Sequence, residues 1–223
     1  MLQPRINIKT LRITGYGGKR FPVWLGDPSF SSMETLELSN CKNCTSLPAL
    51  GLFRSLKHLT IRQMRGLKKI GCETYGKDCS KPFESLETLH FEVLPEWEYW
   101  DTSKQNGYVE VFPRLIELSV VGCNKLSGKL PGHLPSLETL VLKSCEELSV
   151  LPDHLPSLQT LAVKYCQELV VSFSSFPALS RLEVEKCKGM VCSNLIDSKL
   201  IKSVIISSSA LYFYGWMQGD AIR

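Results

Sequence analysis

Residues 137–145 read LETLVLKSC, and one short stretch of chain later residues 158–166 read LQTLAVKYC. Working outward, the same nine-residue phrase returns as LSRLEVEKC from Leu179, LIELSVVGC from Leu115, LETLHFEVL from Leu86, LKHLTIRQM from Leu56 and METLELSNC from Met33. Two weaker copies flank these, IKTLRITGY from Ile8 and IKSVIISSS from Ile201. The steps between successive starts are 25, 23, 30, 29, 22, 21, 21 and 22 residues. In each phrase the fourth and sixth positions are apolar, and the fifth and seventh are mostly polar. Alternation with period two places one set of side chains on each face of a short strand. One such strand cannot bury its apolar face alone. Stacked copies join the strands into a sheet and the apolar residues into one core.

The template L-x-x-L-x-L-x-x-C/N, repeated at 20–29 residues, is the signature of leucine-rich repeats. The expected fold is an α/β repeat class: a leucine-rich-repeat solenoid with a curved parallel β-sheet on its concave face. The return path holds Leu47-Pro48, Leu130-Pro131 and Leu151-Pro152. Proline disfavours regular helix there, so the convex side is expected to consist mostly of irregular and 3₁₀ turns. The solenoid is expected over residues 1–212, in about nine repeats, with a C-terminal tail at 213–223. Insertions near 71–82 and 95–113 lengthen two steps. Leu211, Tyr212, Phe213, Tyr214 and Trp216 either cap the last repeat or form a frayed end.

Composition is that of an ordinary globular chain: 43% hydrophobic and 22% charged residues. The net charge of +4 is too mild to point to nucleic acid or a membrane surface, and neither is expected as a partner. MLQPRINIKTLRITGY lacks an apolar core of signal-peptide length, and no run of about 18 apolar residues occurs. Nine cysteines in 223 residues are far too sparse for a disulfide scaffold. The expected compartment is therefore reducing and cytoplasmic. Cys41, Cys123, Cys145, Cys166 and Cys187 all hold the ninth template position. A small buried side chain suits the point where the chain turns inward, so a ladder of thiols is expected. Cys41 and Cys44 form half of a zinc pattern with no second half at finger spacing, and no metal is expected. The triplet Asn43-Cys44-Thr45 matches a glycosylation acceptor and is read as an accident.

No phosphate loop, nucleophile elbow or H-E-x-x-H motif occurs. Four scattered histidines, two of them in turn-like G-H-L-P and D-H-L-P runs, offer no acid–base pair. No enzyme and no cofactor are expected. The candidate binding face is instead the outward strand positions. It comprises Arg12, Glu37, Thr60, Arg62, His90, Glu92, Ser119, Val121, Val141, Lys143, Ala162, Lys164, Tyr165, Glu183 and Glu185. Within it Val121, Val141, Ala162 and Tyr165 read as an apolar patch flanked by Lys143 and Lys164, which suits a protein partner.

Charge is segregated along the chain. Residues 40–70 hold seven bases and no acid, whereas 83–101 hold six acids and no base. Lys57, Arg62, Arg65, Lys68 and Lys69 form a candidate basic docking patch. The alternative is neighbouring-strand pairing of Lys57 with Glu87, Arg62 with Glu92 and Lys68 with Glu98. Trp97, Tyr99 and Trp100 in the second insertion either fill the core or present an aromatic contact surface.

Three runs carry a resemblance: YGGKRFPVWLGDPSFSSMETLELSNCKNCTSLPALGLFRSL, PFESLETLHFEVLPEWEYW and FPRLIELSVVGCNKLSGKLPGHLPSLETLVLKSC. The chain resembles, over roughly residues 8–190, the leucine-rich-repeat region of plant intracellular disease-resistance receptors of the coiled-coil, nucleotide-binding type. The resemblance implies a module of innate immunity that senses a pathogen effector or a guarded host protein. It also implies docking onto a nucleotide-binding module in a longer receptor. That module and the coiled coil are not in this sequence, so ATP binding does not transfer. The first copy starts within eight residues of Met1 without a polar cap, so the chain reads as the latter part of a longer receptor or a truncated product. The alternative reading is the substrate-recognition adaptor of an F-box-type ubiquitin ligase. Its repeats continue with C-x-x-[I/L]-[T/S]-D, whereas here L-P turns follow. An extracellular receptor ectodomain is suggested only by the single run Leu126 to Pro131.

Overall fold

The computed structural model describes residues 3–76, 79–101, 111–152, 154–172, 176–187, 189–191 and 201–207. Each copy of the phrase places a five-residue strand at its third to seventh positions. These are β1 (Thr10–Thr14), β2 (Thr35–Ser39) and β3 (His58–Arg62). After a two-residue strand β4 (Lys69–Ile70) comes β5 (Thr88–Glu92), and after β6 (Tyr99–Trp100) comes β7 (Glu117–Val121). Then follow β8 (Gly128–Lys129), β9 (Thr139–Lys143), β10 (Leu148–Val150), β11 (Thr160–Lys164), β12 (Val170–Ser172), β13 (Arg181–Glu185), β14 (Gly189–Val191) and β15 (Ser203–Ser207). The nine long strands form one parallel sheet in the order β1-β2-β3-β5-β7-β9-β11-β13-β15. The sequence steps vary between 21 and 30 residues, yet every neighbouring pair is aligned position for position.

The inward pairs Leu36/Leu38, Leu59/Ile61, Leu118/Val120, Leu140/Leu142 and Leu182/Val184 are at most 2% exposed. The register is held by backbone alone. The carbonyl at the second phrase position accepts two N–H groups from the next coil, as Lys57 O does from Glu87 and Thr88 at 2.9 Å each. The residue at the eighth position is left-handed in eight coils: Gly15, Asn40, Gln63, Val93, Gly122, Ser144, Tyr165 and Lys186, with φ between 51° and 69°. Its N–H donates to the seventh-position carbonyl of the next coil, for example Ser144 N to Lys164 O at 2.9 Å. That kink directs the ninth side chain into the core. The eighth position varies in type, so the chain bears the strain of non-glycine residues there, about 1 kcal/mol or more each, in exchange for the ladder.

Cys41, Cys123, Cys145, Cys166 and Cys187 are all buried to 1% exposure or less. Each Sγ donates to the carbonyl two residues back, from Cys41 to Ser39 at 3.3 Å through to Cys187 to Glu185 at 3.3 Å. Burial pushes the Cys123 thiol up to about 12. The Cys145 thiol, and then burial, push Cys166 upward as well. Cys41, Cys44, Cys72, Cys123, Cys145 and Cys166 are not joined in disulfides.

The return path is mostly turns, with a 3₁₀ turn at Leu50–Leu52 and a four-residue helix, α1 (Cys72–Tyr75). It also carries two small parallel sheets that the L-P pattern did not indicate, β4-β6 and β8-β10-β12-β14. Short pairs form there because coils already in register bring the return segments alongside one another. In the first insertion α1 packs against the core, with Tyr75 1% exposed. Gly51 makes this possible, since a Cβ there would stand 2.6 Å from the Tyr75 carbonyl oxygen. Tyr75 joins a ring cluster with Phe83, Phe91, Trp97, Trp100 and Phe112. Phe91 and Trp97 lie 4.7 Å apart, and Phe83 and Phe112 5.3 Å apart. Trp100 Nε1 donates to the Tyr75 hydroxyl at 2.9 Å, and Trp97 Nε1 to the Tyr99 carbonyl at 2.8 Å. Trp97 is 0% exposed and Trp100 7%, so both fill the core, while Tyr99 at 58% faces solvent. Residues 77–78, 102–110 and 208–223 lie outside the described residues, and with them parts of both insertions and the tail.

Candidate functional site

The outward face of the long sheet consists of straight rows one residue deep. The fifth phrase position gives Arg12, Glu37, Thr60, His90, Ser119, Val141, Ala162, Glu183 and Ile205, each in register with the next. The seventh gives Thr14, Ser39, Arg62, Glu92, Val121, Lys143, Lys164, Glu185 and Ser207. Period two puts the third position on the same face. That row, which the candidate set omitted, adds His58, Thr88, Glu117 and Arg181. Two side-chain contacts involve it: His58 Nδ1 lies 2.9 Å from Thr88 Oγ1, and His90 Nε2 lies 3.1 Å from Glu117 Oε1. The parity of the alternation was the signal for it.

The first coils carry a charge clamp. Glu37 Oε1 meets the Arg62 guanidinium at 2.6 Å, and Glu37 Oε2 meets Arg12 at 3.1 Å. Arg62 thus pairs with the acid of the preceding strand, although Glu92 stands beside it in register. Shared by two guanidiniums, the Glu37 carboxylate has one cation at each oxygen. Lys68 and Glu98 meet through backbone, Glu98 N donating to Lys68 O at 2.8 Å, and Lys69 Nζ pairs with Asp101 at 3.4 Å.

The five basic candidates follow the chain from the residue before β3 to β4. Lys57 and Arg62 stand at opposite ends of β3, about 16 Å apart along the strand, whereas Arg65, Lys68 and Lys69 follow the turn beyond it. All five are exposed.

The apolar patch is also rearranged. Ala162 is 9% exposed and contributes little surface. The Tyr165 hydroxyl donates to Glu185 at 2.7 Å, and Lys186 Nζ stands 5.0 Å from its ring centroid, so Tyr165 is tied to the next coil. Lys164 Nζ meets Glu183 at 2.6 Å, a contact that holds the lysine above its ordinary range. Val121 and Val141 remain half-exposed, with Lys143 exposed beside Val121. Val93, at 43% exposure, joins them from the eighth position. No sequence signal could have found it, because an eighth-position valine would ordinarily avoid a left-handed backbone.

Cys41 and Cys44 are each committed to a carbonyl, Ser39 O and Gly18 O at 3.3 and 3.1 Å. Among the described residues no group of three or more His, Cys, Asp or Glu side chains is placed to hold a metal ion. Among the described residues no helix is long and apolar enough to cross a membrane. Asn43 Nδ2 donates to Gly17 O at 3.0 Å. Beside β1 lies an apolar cleft of about 390 Å³, lined by Leu11, Ile13, Tyr16 and Trp24 among others. The Trp24 indole N–H has no acceptor among the described residues.

One unbroken row-built face over a leucine and thiol core defines a leucine-rich-repeat solenoid. Comparison with known proteins narrows this. A family model for R13L1/DRL21 leucine-rich repeats matches residues 1–64. A putative disease resistance RPP13-like protein 1 of Arabidopsis thaliana is 44% identical over 151 residues, 65% of this chain and 14% of that protein. A second Arabidopsis thaliana relative, the putative disease resistance protein At3g14460, is 38% identical over 149 residues, 65% of this chain and 10% of its own length. A putative disease resistance protein RGA1 of Solanum bulbocastanum is 26% identical over 127 residues, 55% of this chain and 12% of its own. The chain is thus a leucine-rich-repeat solenoid similar to part of these plant disease-resistance proteins, and it spans a tenth to a seventh of their length.

Proposed function

We propose that this region is a non-catalytic protein-recognition and autoregulatory module in plant defence, working in the cytoplasm within a longer receptor. One observation carries the reading: nine strands hold their outward rows in unbroken register, so side chains from distant sequence positions act as one surface. The disease-resistance relatives support the setting, and the buried thiols fit a reducing compartment. The long face would take a pathogen effector or a guarded host protein. The exposed bases past β3, Arg65, Lys68 and Lys69, would dock a nucleotide-binding module by charge complementarity. Ligand binding on the face and docking on the bases then compete as two states of one equilibrium.

The test uses the tagged chain co-expressed with the nucleotide-binding module of a resistance-protein relative. Arg65→Glu with Lys68→Glu is expected to lower co-precipitation severalfold and, in a full-length receptor, to give signalling without ligand. Undiminished co-precipitation would refute the docking assignment.

A further inference from the structure

Beside the His90–Glu117 contact, the middle of the outward face holds charges that the flanks do not leave open. On the first coils the charges are mutually engaged in the Arg12–Glu37–Arg62 clamp, and on the later coils Lys164 is engaged by Glu183. Between them Glu92, Val121 and Lys143 stand side by side in one row. Glu92 and Lys143 are both exposed, and neither has an ion-pair partner among the described residues. Val121 separates them by two strand spacings, about 10 Å. That is too far for the pair to satisfy itself and too close for either charge to be independent of what lies on the valine.

A second feature coincides with the first. Val93, directly after Glu92, is a β-branched residue held at φ 55° and left 43% exposed. It leans over Gly122, its Cγ2 lying 3.6 Å from where a Cβ on Gly122 would stand. Val93, Val121 and Val141 together make a shallow apolar shelf with an unpaired acid on one rim and an unpaired base on the other.

The spacing selects the shape of the occupant. On an extended peptide, residues on one face are about 6.6 or 13 Å apart. On a helix, residues i and i+7 share a face at about 10.5 Å, with i+3 and i+4 between them. Only the helix spans the rims with an apolar side chain over the shelf. We propose that Glu92, Val121 and Lys143, with Val93 beside them, read one face of an α-helix on a protein partner. That helix lies across the strands and carries a basic residue at i, apolar residues at i+3 and i+4, and an acidic residue at i+7. This rests on the protein-recognition reading and names the partner's chemistry.

The experiment titrates the full chain into a fluorescently labelled, alanine-based 18-residue helical peptide carrying Arg at i, Leu at i+3 and i+4, and Asp at i+7. Anisotropy gives the Kd at low salt. Lys143→Glu is expected to weaken binding about tenfold, and exchanging the peptide's Asp for Arg is expected to restore it to that variant and weaken it for the native chain. Val121→Asp should abolish binding of both peptides. Both positions are at the surface, and an unchanged far-ultraviolet dichroism spectrum verifies the fold of each variant. The inference is overturned if the native chain does not bind the first peptide. It is equally overturned if the crossed pairs show no preference, or if a proline-broken peptide of the same composition binds as tightly. If these arms fail while the Arg65/Lys68 test succeeds, only the helix reading falls.

Discussion

Between Leu56 and Leu115 the solenoid is built from long coils of 30 and 29 residues, filled with rings; between Leu115 and Leu179 it is built from coils of 22, 21 and 21, filled with leucine and thiol. The strands do not register the change. β3, β5, β7, β9 and β11 stay aligned residue for residue across the boundary. The ladder is made of backbone groups at the second and eighth positions, and those groups are blind to what the return path contains. Core volume is not blind to it. A longer coil encloses more space, and space in a protein interior must be filled to crystal-like density. The long coils meet the need with Tyr75, Phe83, Trp97, Trp100 and Phe112, and with Met64 and Leu94 in the ninth position. The short coils have room only for a cysteine there.

The sharpest way to break this comparison is to empty the long coils. Trp97→Ala removes a fully buried ring that touches Phe91 and Trp100. It is expected to cost about 3–5 kcal/mol, read as a fall in the urea midpoint. A loss below about 1 kcal/mol would mean the rings are not what fills the coil.

The short coils are tested by alkali. An unfolded cysteine loses its proton near 9, whereas Cys123 in the folded chain holds its proton up to about 12. The folded state therefore binds more protons than the unfolded one in that window. The thiol's contribution is complete below pH 9 and is lost as pH rises toward 12, at about 1.4 kcal/mol per pH unit for one linked proton. Urea midpoints measured from pH 8 to 11 should fall. They should fall less steeply in Cys123→Ala, because burial raises the Tyr75 hydroxyl too and that part remains. Equal slopes in the two proteins would remove the thiol from the account.

The smallest effect is expected at Tyr99, which sits in sequence between the two buried tryptophans yet faces solvent. Trp97 uses only its backbone carbonyl. Tyr99→Ser should shift stability by no more than about 0.5 kcal/mol. A larger loss by the same urea measurement would extend the ring cluster beyond the residues that now define it.

The repeating phrase made the architecture legible because its information is local. Positions four and six alternate with five and seven, so strand, face and row order follow from counting. The rows of the candidate face, from Arg12 through Glu183, followed the same way. The third-position row is equally legible by parity. Val93 was not legible at all, because its place on the surface depends on a left-handed backbone imposed by the ladder. Nor were the partners of the charges. Counting put Arg62 beside Glu92, but a side chain in a parallel sheet has neighbours on both sides, and Arg62 turned to Glu37.

From the order of residues alone came the nine long strands, their direction, the faces they present and the inward place of the thiols. Each is set by a periodicity, and a periodicity survives any arrangement of what lies between its copies. Packing in three dimensions decided which charges neutralise one another and which rings close the long coils. Those outcomes depend on distances of a few ångströms between residues about twenty to thirty positions apart. Such distances exist only once neighbouring coils have locked together.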